Sequence, residues 1–286
     1  MNMLSSLKLL HCDENRLQFI AKKELTFFEL QSLFHASRKH WNQCTDFNEP
    51  ILYKGQCYTI SFKPKEFIHP ASFDDVTILY EDCFVILAFK PPFLLVHDDG
   101  HTQDTLQARI DAHLMMQGAM YPCQAIHRID YEASGLLLFS KHPFFQPYFD
   151  FQMQQHQIKK EYQCIVEGKF PSSIHEICKP IGKDRHQSKK MRISKNGKPS
   201  KTKITAVESN KNASKLTIEI TTGRKHQIRV HLASLGYPIY NDPLYGVRKD
   251  QKGLLLQSHK LSFKLPFQKQ SLQIECPDEP RMCLKD

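Results

Sequence analysis

The stretch AIHRIDYEASGLLLFSK, residues 125–141, decides how the chain is read. Its second half is apolar on both faces from Leu136 to Phe139, the pattern of a central strand covered on either side. Its first half sets a carboxylate, Asp130, two residues from Arg128 at the mouth of that strand. Burial alone would favour the neutral acid, so an ionised Asp130 needs a cation close by. The neighbouring Arg128 is the first candidate, because a guanidinium can hold both carboxylate oxygens in plane. An isolated Asp–Arg pair is most often a structural ion pair, so the rest of the chain must decide.

Working outward, TILYEDCFVILAFKPP (77–92) reads as two short strands around an acidic turn, and TLQARIDAHLMMQG (105–118) as a helix stopped by Gly118. Pro143 suits a first helical turn, with Pro147 an irregularity in the helix over PFFQPYFDFQMQQHQ (143–157). KKEYQCIVEG (159–168) returns as a strand. Leu216, Ile218 and Ile220 alternate with polar residues, predicting a half-buried strand. Ile228, Leu232 and Leu235 have helical spacing and end at Gly236. Strands and helices without strict alternation predict an α+β fold with a mixed, largely antiparallel sheet and flanking helices.

The best boundary is KPKEFIHPASFDD (63–75), where two prolines and mixed charge break the periodicity. It divides a small N-terminal α+β module, 1–70, from a large domain, 71–286. In the module, KELTFFELQSLFHASRKHW (23–41) predicts one helix ending in a basic turn, and Lys54-Gly55 a turn into a strand.

The 286 residues include 39 Lys and Arg against 30 Asp and Glu, a charge of +9 that favours polyanionic partners. Much of that excess sits in one tract, Lys183 to Lys203, where nine cations face only Asp184, nine minus one giving +8. Lys189, Lys190 and Arg192 lie at its centre, and such clusters neutralise phosphates. The nine cysteines are scattered, with no CxxC pair, which speaks against a disulfide framework and against zinc-ligand spacing. His226 and His231 are five apart, about 140° around a helix, and do not share a face. Both are read as structural or as facing the polyanionic partner, and no metal is expected. The apolar run CFVILAF (83–89) is far short of the roughly 18 residues of a membrane span, and the N-terminus makes a poor signal peptide. The chain reads as cytoplasmic, away from membranes, and monomeric.

Four stretches, HRIDYEASGLLLFSK, KKEYQCIVEG, KNGKPSKT and TGRKHQIRVHLASLGYPIYNDPLYG, together with FVILAFKPPFLLVH, resemble the RluA-type pseudouridine synthase family in order and spacing across residues 74–265. The resemblance implies isomerisation of uridine to pseudouridine in RNA, with Asp130 the catalytic carboxylate, Tyr162 the active-site tyrosine and Arg229 the active-site arginine. It implies that Arg128 handles the flipped nucleotide. His127, more a hydrogen-bonding strut than a base, and Arg224 join Lys189, Lys190 and Arg192 as residues expected to face the substrate. Arg229 is expected to pair with Asp130 across 99 positions. Three departures bear on target choice and local geometry: Ala133 before Ser134-Gly135, Phe89 before Lys90-Pro91, and Asn241-Asp242. The N-terminal module resembles faintly an alpha-L type RNA-binding module.

The residue types suit that chemistry independently. Uracil must leave its ribose through nitrogen, rotate and return through carbon. A carboxylate can drive this as nucleophile on the sugar or as base beside the anomeric carbon. Atoms are only redistributed, so no redox cofactor or energy donor is needed. The base must first be unstacked, and Tyr162 suits stacking on it, with a hydroxyl able to shuttle a proton. Ribosomal RNA is expected over transfer RNA, and DNA is not. The rival reading is a non-catalytic RNA-binding or ribosome-assembly protein that keeps the fold. Retention of Asp130, Tyr162 and Arg229 favours the enzyme.

Overall fold

A computed structural model of the chain describes residues 3–67, 71–247, 250–277 and 279–284. The N-terminal part contains Leu7–Cys12 (β1), Arg16–Ala21 (β2), Leu25–Thr26 (β3), Phe27–Leu33 (α1), Arg38–Cys44 (α2), Ile51–Leu52 (β4) and Cys57–Ser61 (β5). Thr77–Glu81 (β6), Val85–Lys90 (β7), Leu106–Met116 (α3), Gln124–Ala125 (β8), Ser134–Ser140 (β9) and Gln146–Gln154 (α4) follow. Next come Lys159–Glu167 (β10), Glu176–Cys178 (β11), Ile181–Lys183 (β12), Met191–Ile193 (β13), Lys201–Ser209 (β14) and Ala213–Ile220 (β15). Gln227–Ala233 (α5), Leu256–Lys264 (β16) and Ser271–Glu275 (β17) complete the order.

The large sheet runs β11-β14-β15-β10-β16-β9-β7-β6, with β17 beside β16 and β8 beside β9. All seven residues of β9 are buried, as its two-faced apolar run predicts. On one side β9 pairs antiparallel with β7 from Val85↔Ser140 to Lys90↔Gly135. On the other it meets β16 in parallel through Gln257↔Ser134 and Ser258↔Gly135. That short parallel join fuses two antiparallel halves, giving the mixed, largely antiparallel α+β sheet expected from the sequence. Gly135 makes the join possible. Its φ is +117°, and a Cβ there would lie 2.3 Å from the Ser258 carbonyl oxygen.

Local chemistry explains the element ends. Asp82 makes the acidic turn between β6 and β7 by accepting from the amides of Phe84 at 2.7 Å and Val85 at 2.9 Å. Thr105 caps α3 by accepting from the Ala108 amide at 3.1 Å, and Gly118 closes it with φ +88°. The single helix expected over 23–41 is two. His35 turns left-handed at φ +56°, and the Ser37 hydroxyl then caps α2 through the His40 amide at 3.2 Å. Pro143 opens a 3-10 turn, Pro143–Phe145, and α4 follows with Pro147 in its first turn. The helix around Arg229 is short, and Leu235 falls beyond it.

The expected boundary at 63–75 includes residues 68–70, which lie outside the described residues. On either side of it one apolar cluster is shared. Trp41 of α2 packs on Phe144 with ring centroids 5.0 Å apart, and Phe34 meets the same ring at 5.0 Å. The N-terminal part is therefore seated on the α4 side of the sheet by buried aromatic surface.

Candidate active site

The loop before β9, strand β10 and helix α5 converge because β9, β16, β10 and β15 are successive neighbours in the sheet. Between them lies a cavity of about 990 Å³, whose wall includes Arg128, Asp130, Tyr162, Lys189, Arg224 and Arg229.

Arg229, in the first turn of α5, is fully buried. Its Nε and Nη2 each donate to Asp242 at 2.8 Å, a two-pronged grip that fixes the plane of the guanidinium. Its Nη1 then reaches the Asp130 carboxylate at 3.0 Å and Glu132 at 3.3 Å. Asp242, also fully buried, accepts in addition from the amides of Leu244 at 2.9 Å and Tyr245 at 3.2 Å. Burial works against the charge on Arg229, but the Asp242 hydrogen bonds and the charges of Asp130, Asp242 and Glu132 outweigh it. The guanidinium is thus held above its usual range. One buried cation serves three carboxylates, and only Asp130 and Glu132 reach the cavity.

His226 precedes α5 with a left-handed φ of +54°. This turns its Nε2 toward the second Asp130 oxygen, 3.9 Å away, while Nδ1 lies 2.9 Å from the Tyr245 hydroxyl. That hydroxyl accepts from the Met191 amide at 2.7 Å and can donate its own proton to Nδ1, leaving a proton on Nε2. Burial lowers the His226 pKa more than the Asp130 charge raises it. Tyr162 faces the cavity from β10. Burial, and then the negative charge of Asp130, push its phenol above the usual range. Lys90, at the end of β7, is fully buried; its Nζ donates to the carbonyls of Pro91 at 2.8 Å and Tyr131 at 3.1 Å. Burial brings its pKa down to about 7 against the opposing pull of Asp130 and Glu132.

The sequence model of the family "RNA pseudouridylate synthase" matches residues 85–234. The chain belongs to the RNA pseudouridylate synthase family. It is therefore assigned to a group of isomerases that act on RNA. It is 35% identical over 205 residues to the uncharacterized RNA pseudouridine synthase YhcT of Bacillus subtilis (strain 168), covering 70% of this chain and 67% of that protein. It is 34% identical over 181 residues to ribosomal large subunit pseudouridine synthase D of Nitrosomonas europaea, covering 62% of this chain and 52% of that one. The solved structure of human RNA pseudouridylate synthase domain containing 1 superposes with a TM-score of 0.61 at 22% identity, over 76% of this chain and 89% of that one. This likeness concerns the fold alone.

Within this synthase fold the residues expected at the site are not all equivalent. Arg229, across 99 positions, is the guanidinium that meets Asp130. Arg128, the sequence neighbour first expected in that role, is exposed on the cavity wall and has no hydrogen bond or ion pair among the described residues. Residues two apart in an irregular loop point apart, so nearness in sequence misled. His127 accepts from the Leu138 amide at 3.3 Å, and its Nδ1 has no partner among the described residues. Burial, helped by the charge of Lys160, takes its pKa down to about 3, so the ring is neutral. Arg224 is pinned through Nε to the Pro199 carbonyl at 3.1 Å.

The basic tract is folded as well as charged. β12 and β13 form a hairpin in which Gly182 faces Arg192. Lys189 reaches the cavity, Lys190 lies 5.9 Å from the Tyr245 ring, and Arg192 is exposed on the hairpin away from the cavity wall. Lys201 and Lys203, counted in the tract, lie on β14 and meet Glu176 at 2.5 Å and Glu219 at 3.5 Å. These two are partly neutralised by cross-strand acids that linear counting does not see. His231 is structural, with Nδ1 2.8 Å from the Thr202 hydroxyl and Nε2 2.9 Å from the Lys179 carbonyl. Among the described residues no group of three or more His, Cys, Asp or Glu is placed to hold a metal, and no helix is long and apolar enough to cross a membrane. Sequence reasoning missed Glu132, Asp242, Lys90, His226 and Tyr245 as neighbours of Asp130. Asp242 carried the one available signal, as an acid inside the apolar, turn-rich GYPIYNDPLYG (236–246).

Proposed function

We propose that the chain isomerises uridine to pseudouridine in structured RNA, ribosomal rather than transfer RNA, with Asp130 as the catalytic carboxylate. The observation that carries this reading is the 3.0 Å contact between Asp130 and Arg229 at the wall of a cavity of about 990 Å³. A buried guanidinium on one oxygen orients the Asp130 carboxylate toward the cavity, which both candidate roles require. As nucleophile, Asp130 would bond to the anomeric carbon as the glycosidic nitrogen leaves. As base, it would take the sugar proton beside that carbon. In each case the freed ring nitrogen takes up a proton, and uracil turns and bonds through carbon 5 to the anomeric carbon. That carbon breaks its bond to Asp130, or Asp130 returns the neighbouring sugar proton. The proton of carbon 5 is then released. Tyr162 would stack on the extruded ring, and its high phenol pKa keeps the hydroxyl protonated for donation. Arg128, Arg224 and Lys189 on the wall would take the flanking phosphates, with Lys190 and Arg192 extending that surface along the hairpin. His127 would support the loop from below.

The preference for ribosomal RNA draws on the relative named ribosomal large subunit pseudouridine synthase D. The module 1–70 would add RNA contacts, and Arg38 over the Phe27 ring at 4.3 Å offers a basic, aromatic edge for it. The test is base-resolution mapping of pseudouridine in total RNA from cells with and without this chain. One or more ribosomal positions should lose the modification when the chain is absent. Identical maps would overturn the proposal and leave the RNA-binding alternative.

A further inference from the structure

A second cavity, of about 260 Å³, opens beside the first and shares Tyr131, Glu132, Lys189 and Leu244 with it; Phe93 and Asp250 close its far side. Phe93 is 37% exposed and Tyr131 47% exposed, with ring centroids 5.7 Å apart at 65°. The Phe93 amide donates to the Tyr131 carbonyl at 2.7 Å, and the Lys90 ammonium holds the same carbonyl at 3.1 Å. The two rings are thus tied together at the backbone, one of them on the residue next to Asp130.

Phe93 is also strained, with φ +64°. A bulky side chain rarely adopts that region, and glycine would serve the turn better. Two other such residues are compensated by packing. His35 stacks on Phe151 at 3.6 Å, and Phe267, φ +65°, packs near Phe34 and Phe84 with centroids 6.2 and 6.1 Å away. Among the described residues Phe93 has a ring contact only with Tyr131, itself half exposed. Backbone strain beneath an exposed ring points to a task outside the fold.

We infer that Phe93 and Tyr131 form a stacking platform for the base of the nucleotide adjoining the target uridine. The inference rests on the pseudouridylation reading above. Extruding the uridine leaves the neighbouring base without one stacking partner, and an aromatic pair beside the catalytic pocket replaces it. Glu132 and Asp250 make the second cavity hostile to phosphate and favour a base that presents an exocyclic amino group. Lys189, shared by both cavities, stands where the phosphate joining the two nucleotides would pass. The platform would thereby select the sequence next to the modified position.

The test uses single-stranded nine-nucleotide RNAs with a central uridine and 2-aminopurine, an amino-bearing fluorescent base, immediately 5′ or 3′ of it. The unsubstituted chain should quench the fluorescence at one of the two positions, as stacking on an aromatic ring does. The Phe93→Gly/Tyr131→Leu variant should lose the quenching and bind on the order of tenfold more weakly. Phe93→Gly alone should melt no lower than the parent, showing that the ring is not needed for folding. Equal quenching by parent and double variant, or none by the parent at either position, would overturn the platform. Quenching does not require turnover, so platform and isomerase reading fail separately. RNA maps that do not depend on the chain, beside normal quenching, would sink only the isomerase.

Discussion

Arg229 grips Asp242 with two hydrogen bonds of 2.8 Å and passes its remaining edge to Asp130 at 3.0 Å. The fixed pair sets the direction of the third contact, so Asp242 governs how Asp130 is presented without lining the cavity itself. Removing one member of a buried ion pair strands the other. Asp242→Ala should therefore cost about 3–5 kcal/mol of stability. Asp242→Asn, which keeps the shape and one acceptor, should cost less. Urea unfolding measures both, and a loss below about 1 kcal/mol for Asp242→Ala would contradict the buried grip.

Arg229→Lys tests the planar fork. An ammonium can meet Asp242 or Asp130 but cannot hold both in one plane, so it should recover only part of the turnover lost in Arg229→Ala. Single-turnover rates with saturating RNA compare the two. Full turnover with lysine would show that charge alone suffices.

At the sheet's parallel join, Gly135→Ala would drive a Cβ to within 2.3 Å of the Ser258 carbonyl oxygen. Backbone on both sides cannot yield cheaply, so the expected loss is about 3 kcal/mol or more, at the upper end for overpacking. A thermal melt within a degree of the parent would contradict the close approach.

Stability should fall in acid earlier than carboxylate titration would make it. His127 is held down to about 3 from an ordinary value of 6.5, chiefly by burial, and His142 is held well below that value by burial too. Between those limits the unfolded chain binds protons that the folded chain refuses, so stability is lost as pH falls below 6.5. Lys90 has the same sign in a higher window. Its pKa is about 7 when folded against 10.5 when free, so its contribution to stability rises with pH from 7 to 10.5. Denaturant melts should show the lower slope below pH 6.5 and the upper one from pH 7 to about 8. Beyond that the thiols of Cys44 and Cys164, raised by burial, act with the opposite sign. Lys90→Met should flatten the upper slope. An unchanged upper slope in that variant would place the ammonium in water.

Salt dependence separates the two parts of the basic tract. Neutralising Lys189, Lys190 and Arg192 should reduce the slope of RNA affinity against salt, by about 0.7–0.9 for each phosphate that no longer meets a cation. Neutralising Lys201 and Lys203 should change it little, because Glu176 and Glu219 already oppose them. Equal effects from both sets would return the tract to a uniformly solvated face.

What could be read from the sequence follows the range of the forces involved. Strand β9 was legible because its seven buried residues are a local pattern, and the Asp82 turn because its hydrogen bonds span three residues. The break at His35 was not, since a left-handed residue there leaves no signature in apolar spacing. The Asp130–Arg229 contact was reached through a family motif; spacing alone pointed to Arg128. Glu132, Lys90 and His226 join the site through loop geometry and sheet order. The pairing of Lys201 and Lys203 depends on cross-strand register. Such contacts are fixed only when distant segments meet.

The central claim is that the carboxylate held by Arg229 performs the reaction. Asp130→Asn keeps its size and a hydrogen-bonding oxygen but removes the charge. The direct measurement is pseudouridine formation at the chain-dependent positions, in cells lacking the native gene and supplied with the parent or Asp130→Asn, with RNA affinity measured on the same proteins. Restoration by the parent alone, at matched affinity, is the expected result. Restoration by Asp130→Asn at the parent's rate would contradict the account.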